Sequence, residues 1–292
     1  MSEKQHQEDI DDDILKKLHS SSGGGACLNR HIPKVEKGNF CSHRWQAYVR
    51  ALKDKARYDW PKYKPLAQRG GKVQTAAGKD KKGQLFPPWY SKEIDAPSEV
   101  PGSGTDKAGT WDLAHSDNFQ VKCYRPYWHE SNHIIPNSTL KKVLASIGEG
   151  MKSPHRVRRI VRARLLEQRY NLNHEDNMIL LPMDEEVARV LGLPRHRKTA
   201  FLRSHKAYSD NVEKELKGIF SSLKDQIREH SKPKPDYGNF KNSLVEFSKR
   251  LYGQIIAAGE KDGAGALDDM SPERFKAPSN APTDQGMGAG DF

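Results

Sequence analysis

Six of the twelve histidines, His129, His133, His155, His174, His196 and His205, lie between positions 129 and 205, interleaved with Glu130, Asn132 and Asn177. Imidazole is a common metal ligand and changes charge near neutral pH, so this density points to metal binding or acid–base chemistry. The most informative string is His129-Glu130-Ser131-Asn132-His133-Ile134-Ile135-Pro136, a polar cluster running into an apolar Ile-Ile-Pro. Asn171 to Pro182 (NLNHEDNMILLP) follows it, and then Leu202-Arg203-Ser204-His205-Lys206-Ala207-Tyr208. A second group of ligand types, Cys27, His31, Cys41 and His43, could bind a structural zinc, although C-x3-H-x9-C-x-H is not a familiar zinc spacing. Three cysteines cannot all pair within one chain, which argues against a disulfide scaffold.

The elements that must position these residues are readable from periodicity and caps. Phe119–Trp128 has strand character and would carry the polar cluster at its end. Ser138 opens a helix through Ile147, and Ser153-Pro154 opens another through Tyr170. Met178–Leu181 reads as a short buried strand stopped by Pro182. Further helices are expected over Asp184–Leu191, Ser204 to about Glu229, and Phe240–Ala258. Upstream, Ser42 caps a helix to Tyr58 whose inner face would be Trp45, Tyr48, Val49 and Leu52.

With those elements in place, the succession Asn-His-Ile-Ile-Pro, Asn-x-x-Leu-Leu-Pro and a His-x-x-Tyr opening a helix resembles the HNH/endonuclease VII superfamily. It is closest to the AHH-type nuclease domains of bacterial polymorphic toxins, over about residues 119–220. The resemblance implies an α+β fold, a ββα-metal (HNH-like) nuclease core embedded in a mainly helical chain. By the same resemblance His133 is the general base and Asn177 the residue that holds the loop and orients it. His205 falls on the helix-borne metal ligand, with His196 a second ligand from the preceding loop. Asn132 stands where the family carries His or Asp as a ligand; His129 and Glu130 are close enough to substitute, and Tyr208 is a further auxiliary residue. The implied cofactor is a divalent ion, Mg²⁺ first, with Zn²⁺, Mn²⁺ or Ni²⁺ as alternatives, acting as a Lewis acid at the scissile phosphate.

Charge supports a polyanionic substrate. The chain carries 49 Lys and Arg against 38 Asp and Glu, a formal charge of +11, which attracts nucleic acid whatever the fold. Arg156, Arg158, Arg159 and Arg162 lie on one helix whose buried stripe would be Val157, Ile160, Val161, Leu165 and Leu166. Guanidinium forks there suit backbone phosphates without reading sequence. Arg195, Arg197, Lys198 and Arg203 could extend that surface.

The expected organisation is a flexible acidic and Gly/Ser segment over 1–25 and a delivery or adaptor-binding region over 26–115. The nuclease domain follows over 116–230, then a C-terminal helix over 231–258 and a disordered tail over 259–292. No apolar run is long enough for a membrane span and no secretory signal opens the chain. The resemblance therefore implies synthesis in the cytoplasm, export by a specialised system and action in the cytoplasm of a target cell. It makes the chain a DNA endonuclease toxin with an acidic immunity protein as partner. A ribonuclease of the same superfamily and a non-catalytic basic nucleic-acid-binding protein, with Asn132 marking a lost site, are the alternatives.

Overall fold

The computed structural model describes residues 13–29, 35–59, 61–62, 112–115, 118–119, 126–127, 129–183, 185–196, 205–228, 234–262 and 265–267. Two short helices, α1 (Asp13–Leu18) and α2 (His43–Lys53), precede a single turn, α3 (Lys55–Tyr58). Then come β1 (His129–His133), α4 (Asn137–Ser146), α5 (Pro154–Glu167), a 3-10 turn (Glu175–Asn177) and β2 (Met178–Pro182). The described chain closes with α6 (Glu185–Leu191), α7 (Lys206–Ile219), α8 (Ser221–Arg228) and α9 (Tyr237–Asp262). This is a mixed architecture of helices around one small two-stranded sheet, consistent with an α+β nuclease core.

β1 and β2 pair antiparallel, His129 opposite Pro182 and His133 opposite Met178. Side chains alternate between faces along a strand, so Glu130 and Asn132 share one face while His129, Ser131 and His133 share the other. Every residue of β2 is buried; α2 and α6 both pack against this strand. The Tyr58 hydroxyl donates to the Leu180 carbonyl at 3.0 Å, partnering a main-chain oxygen that burial would otherwise leave unpaired.

Of the expected strand over Phe119–Trp128, residues 119, 126 and 127 are described: Phe119 sits in a turn at φ +55°, and Pro126 and Tyr127 in a bend that leads into β1. The aromatics are buried by stacking on one another instead: Phe119 lies edge-on to Tyr127 at 5.5 Å, and both close on the His129 ring at 4.8 and 5.7 Å. Residues 120–125 and Trp128 lie outside the described residues.

Ser42 and Ser153 stand at the expected helix starts, whereas Ser138 lies inside α4, whose cap position is taken by Pro136. The Ser42 hydroxyl accepts the Trp45 N–H at the start of α2, and Pro154 occupies the first turn of α5 after Ser153. The inner face of α2 is rotated from the expected one, however. Gln46, Ala47, Tyr48 and Ala51 are buried, while Leu52 is exposed. Gln46 explains the rotation: its Oε1 accepts the Glu175 N–H and its Nε2 donates to the Asn39 carbonyl, anchoring the helix to the 3-10 turn. On α5, Val161, Leu165 and Leu166 are buried but Ile160 is exposed, one step off the stripe. The expected long helix from Ser204 breaks at Phe220, whose ring stacks on Phe240 at 5.6 Å.

The described parts of the two terminal segments pack into the fold. In the segment expected to be flexible, Leu15 is buried, and Ser20 bridges Ala26 across a turn in which Gly23, Gly24 and Gly25 all take positive φ. The glycines are there for conformation rather than freedom: a Cβ on Gly25 would meet Asn171 Nδ2 at 2.4 Å. In the segment expected to be a tail, α9 runs to Asp262, and Leu267 is buried with its N–H on the Arg195 carbonyl. One apolar cluster includes Leu15, Tyr48, Tyr58, Ile134, Leu165, Ile179, Leu216, Leu244 and Leu267. Arg57 ties α3 to the end of α6 and to α9. Its guanidinium donates to the Leu191 carbonyl at 3.1 Å and pairs with Asp54 at 2.7 Å and Glu260 at 3.1 Å.

Candidate active site

The strand face that holds Glu130 and Asn132 meets two histidines from downstream. His196 is held at the end of β2 by its own N–H, which donates to the Pro182 carbonyl at 2.8 Å. His205 is the residue that precedes the first turn of α7. Nε2 of His196 lies 3.3 Å from Asn132 Oδ1 and 3.1 Å from Nε2 of His205, so three donor atoms from three elements converge. Both imidazoles are buried. An ion about 2.0–2.1 Å from each nitrogen spans such a gap, and the residues present therefore fit a divalent metal. Glu130 supplies the support that metal-binding imidazoles require: its Oε2 lies 2.7 Å from His196 Nδ1, which places the proton there and turns the Nε2 lone pair toward the cluster. Glu130 thus orients the His196 ring.

His133 occupies the other face at the end of β1. Its Nε2 lies 2.9 Å from Asn173 Oδ1, and because that oxygen can only accept, the ring carries its proton on Nε2. Burial drives the His133 pKa below the ordinary 6.5, outweighing the Asn173 hydrogen bond and the nearby Cys27, which act the other way. The ring is therefore neutral near pH 7, with Nδ1 the basic nitrogen.

Asn177 and Asn173 divide the work that sequence assigned to Asn177 alone. The Asn177 side chain accepts the Ile135 N–H at 2.7 Å and the Ser248 hydroxyl at 3.1 Å, and donates to the Leu172 carbonyl at 2.8 Å. Its own carbonyl accepts the Ile134 N–H at 2.8 Å. It is a buried staple between the loop after β1 and the loop before the 3-10 turn, and the His133 ring is held by Asn173. Sequence reasoning missed Asn173. The only available signal was the asparagine alternation Asn171-x-Asn173, in which Asn171 Oδ1 accepts the Asn173 N–H at 3.0 Å and presents the next side chain.

Three other expectations are placed elsewhere. His129 does not substitute for Asn132: strand parity puts it on the opposite face, in the aromatic cage, with Nδ1 2.9 Å from the Tyr127 carbonyl. Burial there lowers its pKa to about 3. Tyr208 donates its hydroxyl to the Ile134 carbonyl at 2.6 Å and is fully buried, so it fastens α7 to the loop after β1 and holds the site together from behind. On α5, Arg156, Arg158 and Arg159 are exposed, but Arg162 is committed to Asn29 Oδ1 at 2.6 Å. Arg195 lies 3.6 Å from Glu185; Arg197, Lys198 and Arg203 lie outside the described residues. His174, given no role from sequence, caps the 3-10 turn by accepting the Asp176 N–H.

Comparison with known proteins finds one family match. Residues 115–244 match the family model AHH, described as a nuclease family of the HNH/ENDO VII superfamily with conserved AHH. The matched segment is of the AHH nuclease family, as its motifs indicated, and the match supports a nuclease with a nucleic-acid substrate. No curated protein and no solved structure matches the chain. Among the described residues no helix is long and apolar enough to cross a membrane.

Proposed function

We propose that the protein is a metal-dependent endonuclease hydrolysing the phosphodiester bonds of DNA, and that it serves as an antibacterial toxin. The observation that carries the enzymatic reading is the convergence of Asn132, His196 and His205 on one face of β1, with the next residue of that strand, His133, buried and neutral on the other face and held by Asn173. Asn132 Oδ1 and the two Nε2 atoms would hold the ion; when bound, it supplies Lewis-acid neutralisation of the scissile phosphate and of the leaving oxygen. His133 takes the proton of the attacking water at Nδ1, and the Asn173 bond keeps the ring from turning as it becomes charged. Arg156, Arg158 and Arg159 are positioned on an exposed basic face to receive backbone phosphates. Two imidazoles and one amide carry no charge, so the donor set favours Zn²⁺, Ni²⁺ or Mn²⁺ over Mg²⁺, which prefers carboxylates.

The toxin role rests on the likeness to polymorphic toxin domains, as do export by a specialised system, action in a target-cell cytoplasm and an acidic immunity partner. A plasmid-nicking assay tests the chemistry: wild type and His133→Ala with each divalent ion and with EDTA, and an RNA substrate alongside. Cutting should require metal and fall at least about 100-fold in His133→Ala while metal binding persists. Cutting of RNA alone, indifferent to EDTA, would instead make it a ribonuclease, and binding without cutting would leave a non-catalytic nucleic-acid-binding protein.

A further inference from the structure

The second ligand group read from sequence is partly assembled by the fold, with one member exchanged. Cys27 and Cys41 come together, but the imidazole that joins them is His19, a residue sequence spacing did not single out. The His43 ring instead stacks near that of His133 at 6.2 Å, and His31 lies outside the described residues. His19 Nε2 lies 3.2 Å from Cys41 Sγ, and the three ligand atoms are within 4.8 Å of one another. Both cysteines are almost wholly buried, and neither is in a disulfide.

Buried thiols usually act as small apolar groups. Here the third partner is an imidazole nitrogen pointed at sulfur, and the three donors come from three separate pieces of chain: the residue after α1, the bridged segment at 26–27 and the residue two before α2. Two thiolates and an imidazole are a borderline-soft donor set that suits Zn²⁺, whose bonds of about 2.3 Å to sulfur and 2.0–2.1 Å to nitrogen would draw these atoms slightly closer. We propose that His19, Cys27 and Cys41 bind a structural zinc ion, separate from the Asn132–His196–His205 cluster.

The position of this site gives the ion a task. The Cys27 N–H donates to the Tyr170 carbonyl at 3.0 Å and its carbonyl accepts the Leu172 N–H at 2.8 Å. Asn171, between them, donates to the carbonyls of Gly24 and Phe40. An ion clamping residues 19, 27 and 41 would therefore brace the loop from which Asn173 reaches His133. Helix α1 has only six residues, and a metal would add a fixed link between so short a helix and the rest of the fold.

Cobalt substitution of the full chain tests the proposal independently of nuclease activity, because only this site contains sulfur. Thiolate-to-cobalt charge-transfer absorption is expected in wild type and undiminished in His205→Ala, which removes a ligand of the other cluster. In Cys41→Ser the band should fall to about half, as one of two thiolates is lost. Since that substitution can unfold the segment, the wild-type spectrum and the zinc content of His205→Ala carry the test. Zinc retained by His205→Ala at one ion per chain supports the site. Absence of the band with both thiols open to a thiol reagent, or a mass showing Cys27 joined to Cys41, would overturn it.

Discussion

At the scale of single residues, the site is built from groups that carry little charge of their own, and its chemistry depends on what fixes them. Asn173 is the clearest case. Replacing it with Asp puts a negative charge against the His133 ring, favours the protonated imidazole and raises its pKa. The acid limb of the cleavage rate should move to higher pH in Asn173→Asp, and Asn173→Ala should lose about 10–100-fold in rate with an unmoved metal affinity. A pH–rate profile checks this; superimposable limbs in wild type and Asn173→Asp would sink the assignment. Glu130 acts on the other imidazole. Glu130→Gln keeps the shape but weakens the grip on His196 Nδ1, so the metal concentration for half-maximal cutting should rise about 10–100-fold. A titration of activity against Mn²⁺ decides it, and an unchanged midpoint would remove Glu130 from the metal's support.

At the scale of elements, what matters is how α7 is held against the sheet. Tyr208 makes that link through one hydroxyl to the Ile134 carbonyl. Tyr208→Phe leaves that carbonyl buried and unpaired, at a cost of about 1–3 kcal/mol; urea unfolding should show the loss, and a midpoint identical to wild type would mean the bond is replaced. The helices around this link were legible in sequence because Ser42, Ser153-Pro154 and the apolar spacing of α9 are local signals. β1 was not. His-Glu-Ser-Asn-His looks nothing like a strand, and it becomes one only because the apolar Met178–Pro182 offers it a partner 45 or more residues later. Pattern therefore found β2 but gave no strand over His129–His133. The clustered residues Asn132, His196 and His205 were reachable by family resemblance, but the division of labour between Asn173 and Asn177 was not, since both are buried asparagines close together in the chain and only tertiary contacts tell them apart.

At the scale of the whole molecule, burial of His129 makes folding sensitive to acid. An imidazole held neutral in the fold, with its pKa lowered from 6.5 to about 3, contributes stability that is fully present above pH 6.5. That contribution drains as pH falls from 6.5 toward 3, because the unfolded chain takes up a proton the folded one refuses. His129→Phe, which keeps a ring in the aromatic cage, should flatten the fall in unfolding midpoint between pH 7 and 5; parallel slopes would show that other groups set the acid limit. The links made by Arg57, Tyr58 and Asn29 have a consequence of another kind. A chimaera that keeps the family-matched stretch and takes everything before residue 115 from a different protein would inherit a strand with an unanswered carbonyl at Leu180. It would also lose the guanidinium that joins the end of α6 to α9, and the bond from Arg162 to Asn29. For this chain the smallest piece that can be passed on intact is larger than the motif by which it is recognised, and recombination at the motif's edges should yield proteins that are made but do not cut.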